Sequence, residues 1–278
     1  MSKKSIIKKA FEGKKAIPAF NVSSLEALQA VFKISSKLNY PVFIETSRGE
    51  AEHITPELLS DICKSLSKTY NIDYILHLDR SNDLEFMERC LKAWYDSVSA
   101  EFDKAKDIHE VIALSKKARE LTDRYDAILE WVMEVVPIVY YENNIIETPK
   151  TDLELALEFI KEVNPDLICI AIWTQSWGKK DIKNIWYDTL ESIPKYYPNM
   201  PFMIHWGSFV DDEIIKKIIS LWVTKININA ELRYAYSNKL KANIEAKPDE
   251  YAPYRLLNGV REELEKVVER KIKLMWGF

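Results

Sequence analysis

Residues 74–81 read YILHLDRS: an apolar run that ends in a carboxylate, Asp79, followed at once by a guanidinium, Arg80. A short apolar or β-branched run that stops at a polar residue reads as a strand delivering that residue to its C-terminal end. Seven further runs of this kind punctuate the chain: AIPAFNV (16–22), PVFIETS (41–47), DSVSAEF (96–102), DAILEWVM (126–133), DLICIAIW (166–173), PFMIHWGS (201–208) and VTKININA (223–230). Between them lie segments of helical period. One is SLEALQAVFKISSKL, with apolar residues at Leu25, Leu28, Val31, Phe32 and Leu38 and with Ser23 or Ser24 as its cap. Strands alternating with helices form βα units and a parallel sheet. Eight such units in 278 residues predict a closed (β/α)8 TIM barrel of the α/β class, with a doubly wound open sheet as the alternative. A lysine-rich first helix (Lys3, Lys4, Lys8, Lys9), with a solvated basic face, is expected over one barrel end, and residues 231–278 supply two C-terminal helices. No Gly/Ser linker or low-complexity tract divides the chain, so a single domain over 1–278 is expected.

Composition narrows the partners. Hydrophobic residues make up 47% and charged residues 29%, the balance of a globular protein with a large core. A net charge of -4 and a pI near 5.8 provide no basic field for nucleic acid or anionic lipid. No apolar run approaches the roughly 18 residues of a membrane span, and the start MSKKSIIKKAFEGKK lacks the apolar centre of a secretory signal. A cytoplasmic chain with no membrane and no nucleic-acid partner is expected. Cys63, Cys90 and Cys169 are odd in number and far apart, which suits free thiols better than a disulfide framework or a CxxC metal pair. Only six glycines are present, so phosphate-cradling glycine loops are scarce.

In a barrel the reacting groups gather where the strands end, because there eight loops converge on one cavity. The eight runs end in or near Asn21, Ser47, Asp79, Glu101, Glu130, Ser176, His205 and Asn227. Any one of them suits a cap or a loop, but several at the same end of successive strands point to a polar site.

The words AIPAFNVSSLEALQA (16–30), HLD (77–79), KTDLELALEFIKEVNPDLICIAI (150–172), HWGS (205–208) and KININAELR (225–233), in this order and spacing, resemble the class II fructose-bisphosphate and tagatose-bisphosphate aldolases. The resemblance implies an aldehyde-lyase of carbohydrate metabolism, as in glycolysis, acting on a sugar phosphate, and by analogy a homodimer or higher homo-oligomer. It also implies that Asp79 is the acid/base residue and that zinc is held by histidines at three positions. Here those positions carry Arg80, Ser176 (to within a residue) and His205. A catalytic zinc site needs three protein ligands. One imidazole remains, and a set rebuilt from His205, Asp79 and Glu130 would sit beside the permanent charge of Arg80. No metal and no cofactor are therefore expected. His53 and His109 fall in helical or loop stretches, and His77 is expected to be an inward core histidine.

Two metal-free routes are open. Arg80, with His205, can hold the charge of an enediolate while Asp79 moves the proton; the bland alternative is a surface ion pair between Asp79 and Arg80. Lys225, on the same strand face as Asn227 and Asn229, can form a Schiff base if desolvated, but a core pair with Glu45 is the expected role. By resemblance Asn21 and Ser47 meet the sugar, Asn227 its hydroxyl and carbonyl oxygens, and Gly207 with Ser208 a phosphate; Asn229 shares their face. Trp206 stands where the family has a small residue and Ala230 where it has threonine, and Lys179 or Lys180 can compensate by charge. The segment EWVMEVVPIVYYENNIIETPKTD replaces the family's glycine-rich loop and offers Glu134 or Glu142 as acids. Trp131, Trp173, Trp177 and Trp206 are expected at the cavity end, stacking on a sugar or filling the pocket. The alternative to an aldolase is a noncatalytic barrel that binds a sugar phosphate or supports a partner subunit. The replaced ligands and added tryptophans favour it.

Overall fold

The computed structural model of the chain describes residues 2–103, 105–132, 152–172 and 185–277. Each of the eight runs contains one strand: β1 (Ile17–Asn21), β2 (Val42–Ser47), β3 (Tyr74–Ser81), β4 (Ser97–Ala100), β5 (Ile128–Val132), β6 (Leu167–Cys169), β7 (Phe202–Ile204) and β8 (Val223–Ile228). They are parallel, in sequence order, and closed, with β8 pairing β1 through Ile17 opposite Lys225 and Ala19 opposite Asn227. Closure excludes the open sheet. β3 continues two residues beyond Asp79, and its pairing with β4 shifts register between Leu78 and Ser81, so the backbone is irregular at Asp79 and Arg80.

The helices begin where the local chemistry favours it. Ser24 Oγ accepts from Ala27 N at 3.2 Å and caps helix Leu25–Leu38, which turns Leu28, Val31 and Phe32 to the barrel wall and stops at Asn39 in the left-handed conformation. Helix Lys3–Glu12 inserts Ile6, Ile7 and Ala10 among Ile17, Phe43, Ile75, Ile128 and Met203, sealing the N-terminal end of the barrel. Each buried isoleucine contributes about 1.5–3 kcal/mol. Its lysine row is not wholly solvated: Lys3 reaches the Tyr74 carbonyl and lies 3.5 Å from Asp96, while Lys8 and Lys9 are exposed. Helices Ala230–Ala246 and Val260–Trp276 follow the last strand. The second packs on Leu25–Leu38 through Val260, Leu264, Val268 and Ile272, spaced four apart along one face. Among the described residues no helix is long and apolar enough to cross a membrane.

Candidate active site at the barrel mouth

Asp79 sits at the mouth with Ser47 opposite it across the β2–β3 pair. Its carboxylate accepts from Asn21 Nδ2 at 3.2 Å and from Asn227 Nδ2 at 3.4 Å, and His205 Nε2 lies 3.7 Å from Oδ1. The other ring nitrogen of His205 lies 3.3 Å from Cys169 Sγ, in the barrel interior. Burial opposes the charge on Asp79, but His205, Arg80 and Lys225 outweigh it and hold its pKa far below the usual carboxylate range. Asp79 is thus ionised at neutral pH and tethered from three strand ends. Four residues that the sequence singled out, Asn21, Asp79, His205 and Asn227, come together here.

Arg80 departs from the plain ion pair with Asp79. Its backbone is left-handed (φ 52°), and so is that of Trp206 (φ 66°), a conformation that non-glycine residues hold only under constraint from their surroundings. The guanidinium is half-buried, with Nε 3.8 Å from Glu101 and its carbon 5.4 Å from the centre of the Trp206 ring. A cation over an indole face is attracted by the ring quadrupole. Trp206 therefore does stand at the mouth. Trp131 does not: it is buried and stacked at 11° on Phe159 outside the barrel, because alternation sends its neighbour Glu130 inward. Ser176, Lys179, Lys180, Trp173, Trp177, Glu134 and Glu142 lie outside the described residues.

Beneath Asp79 the barrel holds a fully buried charged layer. Lys225 Nζ lies 3.3 Å from Glu45, as expected, but closer to Glu130, at 2.7 Å, and 3.2 Å from His77 Nε2. Burial disfavours the ammonium, yet Glu130 and Glu45 overcome this and raise its pKa. A nucleophilic lysine needs the opposite shift, so the Schiff-base route finds no support. Burial pushes the Glu45 carboxyl well up and, with Lys225, keeps His77 neutral; His77 Nδ1 is 2.9 Å from Ser97 Oγ. His77 is thus the inward core histidine, while His53 and His109 are exposed on helices.

The fit to a divalent ion can be judged from the donors. Among the described residues one group of three, Glu45, His77 and Asp79, brings its donor atoms within 4.8 Å of one another. The Lys225 ammonium lies against two of the three, and a dication there would displace or face a buried cation. Glu130 is bound to the same lysine, and Arg80, a permanent cation, follows Asp79 directly, where the resemblance implies a ligand. The described donors do not fit the family's metal.

The wall at β7 and β8 differs from expectation. A Cβ on Gly207 would lie 2.3 Å from Ile226 Cγ2 and 3.1 Å from the Asn227 carbonyl, so close packing against β8 already requires a glycine there. Ser208 Oγ accepts from Asn229 N at 3.2 Å and Glu231 N at 3.3 Å, capping helix Ala230–Ala246. Glu231 accepts from Phe209 N at 2.5 Å and pairs with the fully buried Lys271 at 2.7 Å; Lys271 also donates to the Gly207 carbonyl. Of the groups expected to hold a phosphate, the Gly207 amide is engaged, donating to the Asn227 carbonyl at 3.0 Å, whereas Ser208 Oγ serves its bonds with Asn229 N and Glu231 N as an acceptor. Asn227 Oδ1 and Asn229 Oδ1 are buried acceptors without a hydrogen-bond partner among the described residues.

Ser47 faces the mouth, but its hydroxyl and amide both donate to Glu50 in a capping box. Glu50 and Lys271 were not singled out by the sequence. The S-x-x-E spacing of Ser47 and Glu50 was a visible clue to the first; Lys271 lies in a regular helix and left none.

Comparison with known proteins agrees with this architecture. The family model for class II fructose-bisphosphate aldolase matches residues 1–277. The chain is 27% identical over 276 residues to the D-tagatose-1,6-bisphosphate aldolase subunit GatY of Klebsiella oxytoca, covering 98% of this chain and 96% of the relative. It shares its fold with the YdjI aldolase of Escherichia coli K12 (TM-score 0.78, 22% identity, 99% and 96% of the two chains). It likewise shares its fold with the fructose-bisphosphate aldolase of Campylobacter jejuni (TM-score 0.79, 17% identity, 98% and 93%). A closed eightfold barrel with Asp79 at its mouth, matched over its whole length by one family model, belongs to the class II fructose-bisphosphate aldolase family and is an aldolase-like lyase.

Proposed function

We propose that the protein cleaves or forms a carbon–carbon bond in a ketose phosphate, of the kind typified by fructose 1,6-bisphosphate, without a divalent ion held by the family's ligand set. The observation that carries this reading is the buried Asp79 carboxylate, tethered by Asn21 and Asn227 beside His205 and followed in the chain by a guanidinium. In the cleavage direction Asp79 accepts the proton of the hydroxyl on the carbon β to the carbonyl. The bond between the α and β carbons then breaks, the β carbon leaves as an aldehyde, and the electron pair passes to the carbonyl oxygen as an enediolate. Arg80, steadied by Glu101 and Trp206, holds that negative charge, with His205 as a second donor. Asn227 Oδ1, which has no hydrogen-bond partner among the described residues, accepts a substrate hydroxyl, Asn229 Oδ1 a second one, and Asn21 and Ser47 border the sugar. The name of the Klebsiella relative supports a ketose bisphosphate or a close analogue as the starting point for assays.

The test is aldol cleavage of fructose 1,6-bisphosphate, tagatose 1,6-bisphosphate and their monophosphates in excess chelator, with metal analysis of the purified protein. Activity that survives chelation in metal-free protein is the expected result. Activity abolished by chelation and restored by zinc defeats the metal-free mechanism. No turnover of any ketose assigns the barrel to a binding role, which the tryptophan and arginine packed at the mouth would then serve.

A further inference from the structure

Glu50 lies in the short helix Arg48–Ile54 above β1 and β2 and is 8% exposed. Its carboxylate accepts four hydrogen bonds. Oε2 takes Ser47 N at 2.8 Å, Ser47 Oγ at 2.9 Å and Asn21 Nδ2 at 3.2 Å, and Oε1 takes Arg233 Nη2 at 2.9 Å. The same Asn21 amide donates to Asp79 Oδ2, so a single NH2 group joins Glu50 to the reacting carboxylate.

This corner of the mouth therefore already contains its anion. The donors that a phosphate would use there, the amide and hydroxyl of Ser47 and one arm of the Arg233 guanidinium, already serve Glu50. Arg48, the other cation of the corner, is paired with Glu52 and Asp83, both at 2.9 Å. A phosphate brought between Asn21 and Ser47 would face two carboxylates, and like charges at close range are repelled. A hydroxyl would not: it can donate to a carboxylate or to the Asn227 amide oxygen, which accepts no hydrogen bond among the described residues.

We infer that Glu50 determines substrate choice: the end of the ketose lodged between Asn21, Ser47 and Arg233 is uncharged and hydroxyl-bearing, and the protein prefers a ketose monophosphate to a bisphosphate. The inference rests on reading this mouth as an aldolase's sugar site, and it narrows the substrate class within that reading.

Titration calorimetry on the full chain tests it, with fructose 1-phosphate, fructose 6-phosphate and fructose 1,6-bisphosphate as probes. In the wild type one monophosphate binds at least about tenfold more tightly than the bisphosphate. Glu50→Gln keeps the shape, removes the charge and narrows that ratio by about tenfold, whereas Glu50→Asp keeps the preference. Arg233→Ala acts in the opposite direction: it removes the cation facing Glu50 and widens the ratio. Because Arg233 is half-exposed, this variant decides the matter if Glu50→Gln fails to fold. A bisphosphate bound as tightly as the better monophosphate, a ratio that neither variant moves, or no binding of any probe overturns the inference. Calorimetry requires no turnover, so a barrel that binds with this preference but does not cleave defeats the aldolase function alone.

Discussion

Lys225→Met is a sharp test of the charged layer under the site. The ammonium lies 2.7 Å from Glu130, 3.3 Å from Glu45 and 3.2 Å from His77, and every one of these side chains is fully buried. In the wild type Glu130 has a lowered pKa: burial opposes its charge, but the Lys225 ammonium outweighs that cost. Glu45 is pushed the other way: burial raises its pKa against the pull of Lys225. Methionine fills similar space and removes the cation. Breaking a buried pair from one side costs about 3–5 kcal/mol, because the remaining charge has lost its partner.

The sign with pH follows from linkage. The wild-type contribution of Glu130 is present above its unfolded pKa and is lost as pH falls through the lower folded pKa. In the variant, burial acts without Lys225 and raises the folded pKa of Glu130, so its contribution is present at acid pH and is lost as pH rises. The stability gap between the two proteins is therefore widest at neutral pH and narrows below about pH 4. Urea denaturation of both proteins at pH 4 and pH 7, followed by circular dichroism, measures it. A loss under about 1 kcal/mol at pH 7, the size of an exposed pair, or a gap that widens in acid would refute the account of the layer.

Arg80→Ala should lower kcat by about 10²–10³ while the folded far-ultraviolet spectrum is retained, and Arg80→Lys should recover little of the loss because an ammonium lacks the planar fork. A fully active Arg80→Ala enzyme removes the guanidinium from the mechanism. Gly207→Ala should cost about 1–3 kcal/mol in a denaturant melt, since the new methyl meets Ile226 Cγ2 at 2.3 Å. A neutral result would mean that β7 and β8 part easily at that point.

Much of the site was legible because strand ends in a barrel are local features. The apolar runs predicted the position of every strand, and the polar residues closing them (Asn21, Ser47, Asp79, His205 and Asn227) do line one end. The inward direction of His77 and Lys225 followed from two-residue alternation. Applied to β5, the same count would have turned Trp131 outward once Glu130 was inward, so that error was avoidable. The partner of Arg80 was not readable. Its left-handed backbone directs the side chain to Glu101 and Trp206, and no residue type at that position announces such a bend.

The order of polar and apolar residues, by itself, determined eight βα units, a family resemblance and the chemistry available at the mouth. Only the closed barrel decided which charges meet. Lys225 and Glu130 are 95 positions apart, Lys225 and His77 148, and Glu50 and Arg233 183. Periodicity reports which way a side chain points along its own element. The distance across a cavity depends on how the strands stagger and tilt on closure, a property of all eight together, and it was this that tied Lys225 more closely to Glu130 than to Glu45 and brought Arg233 to Glu50.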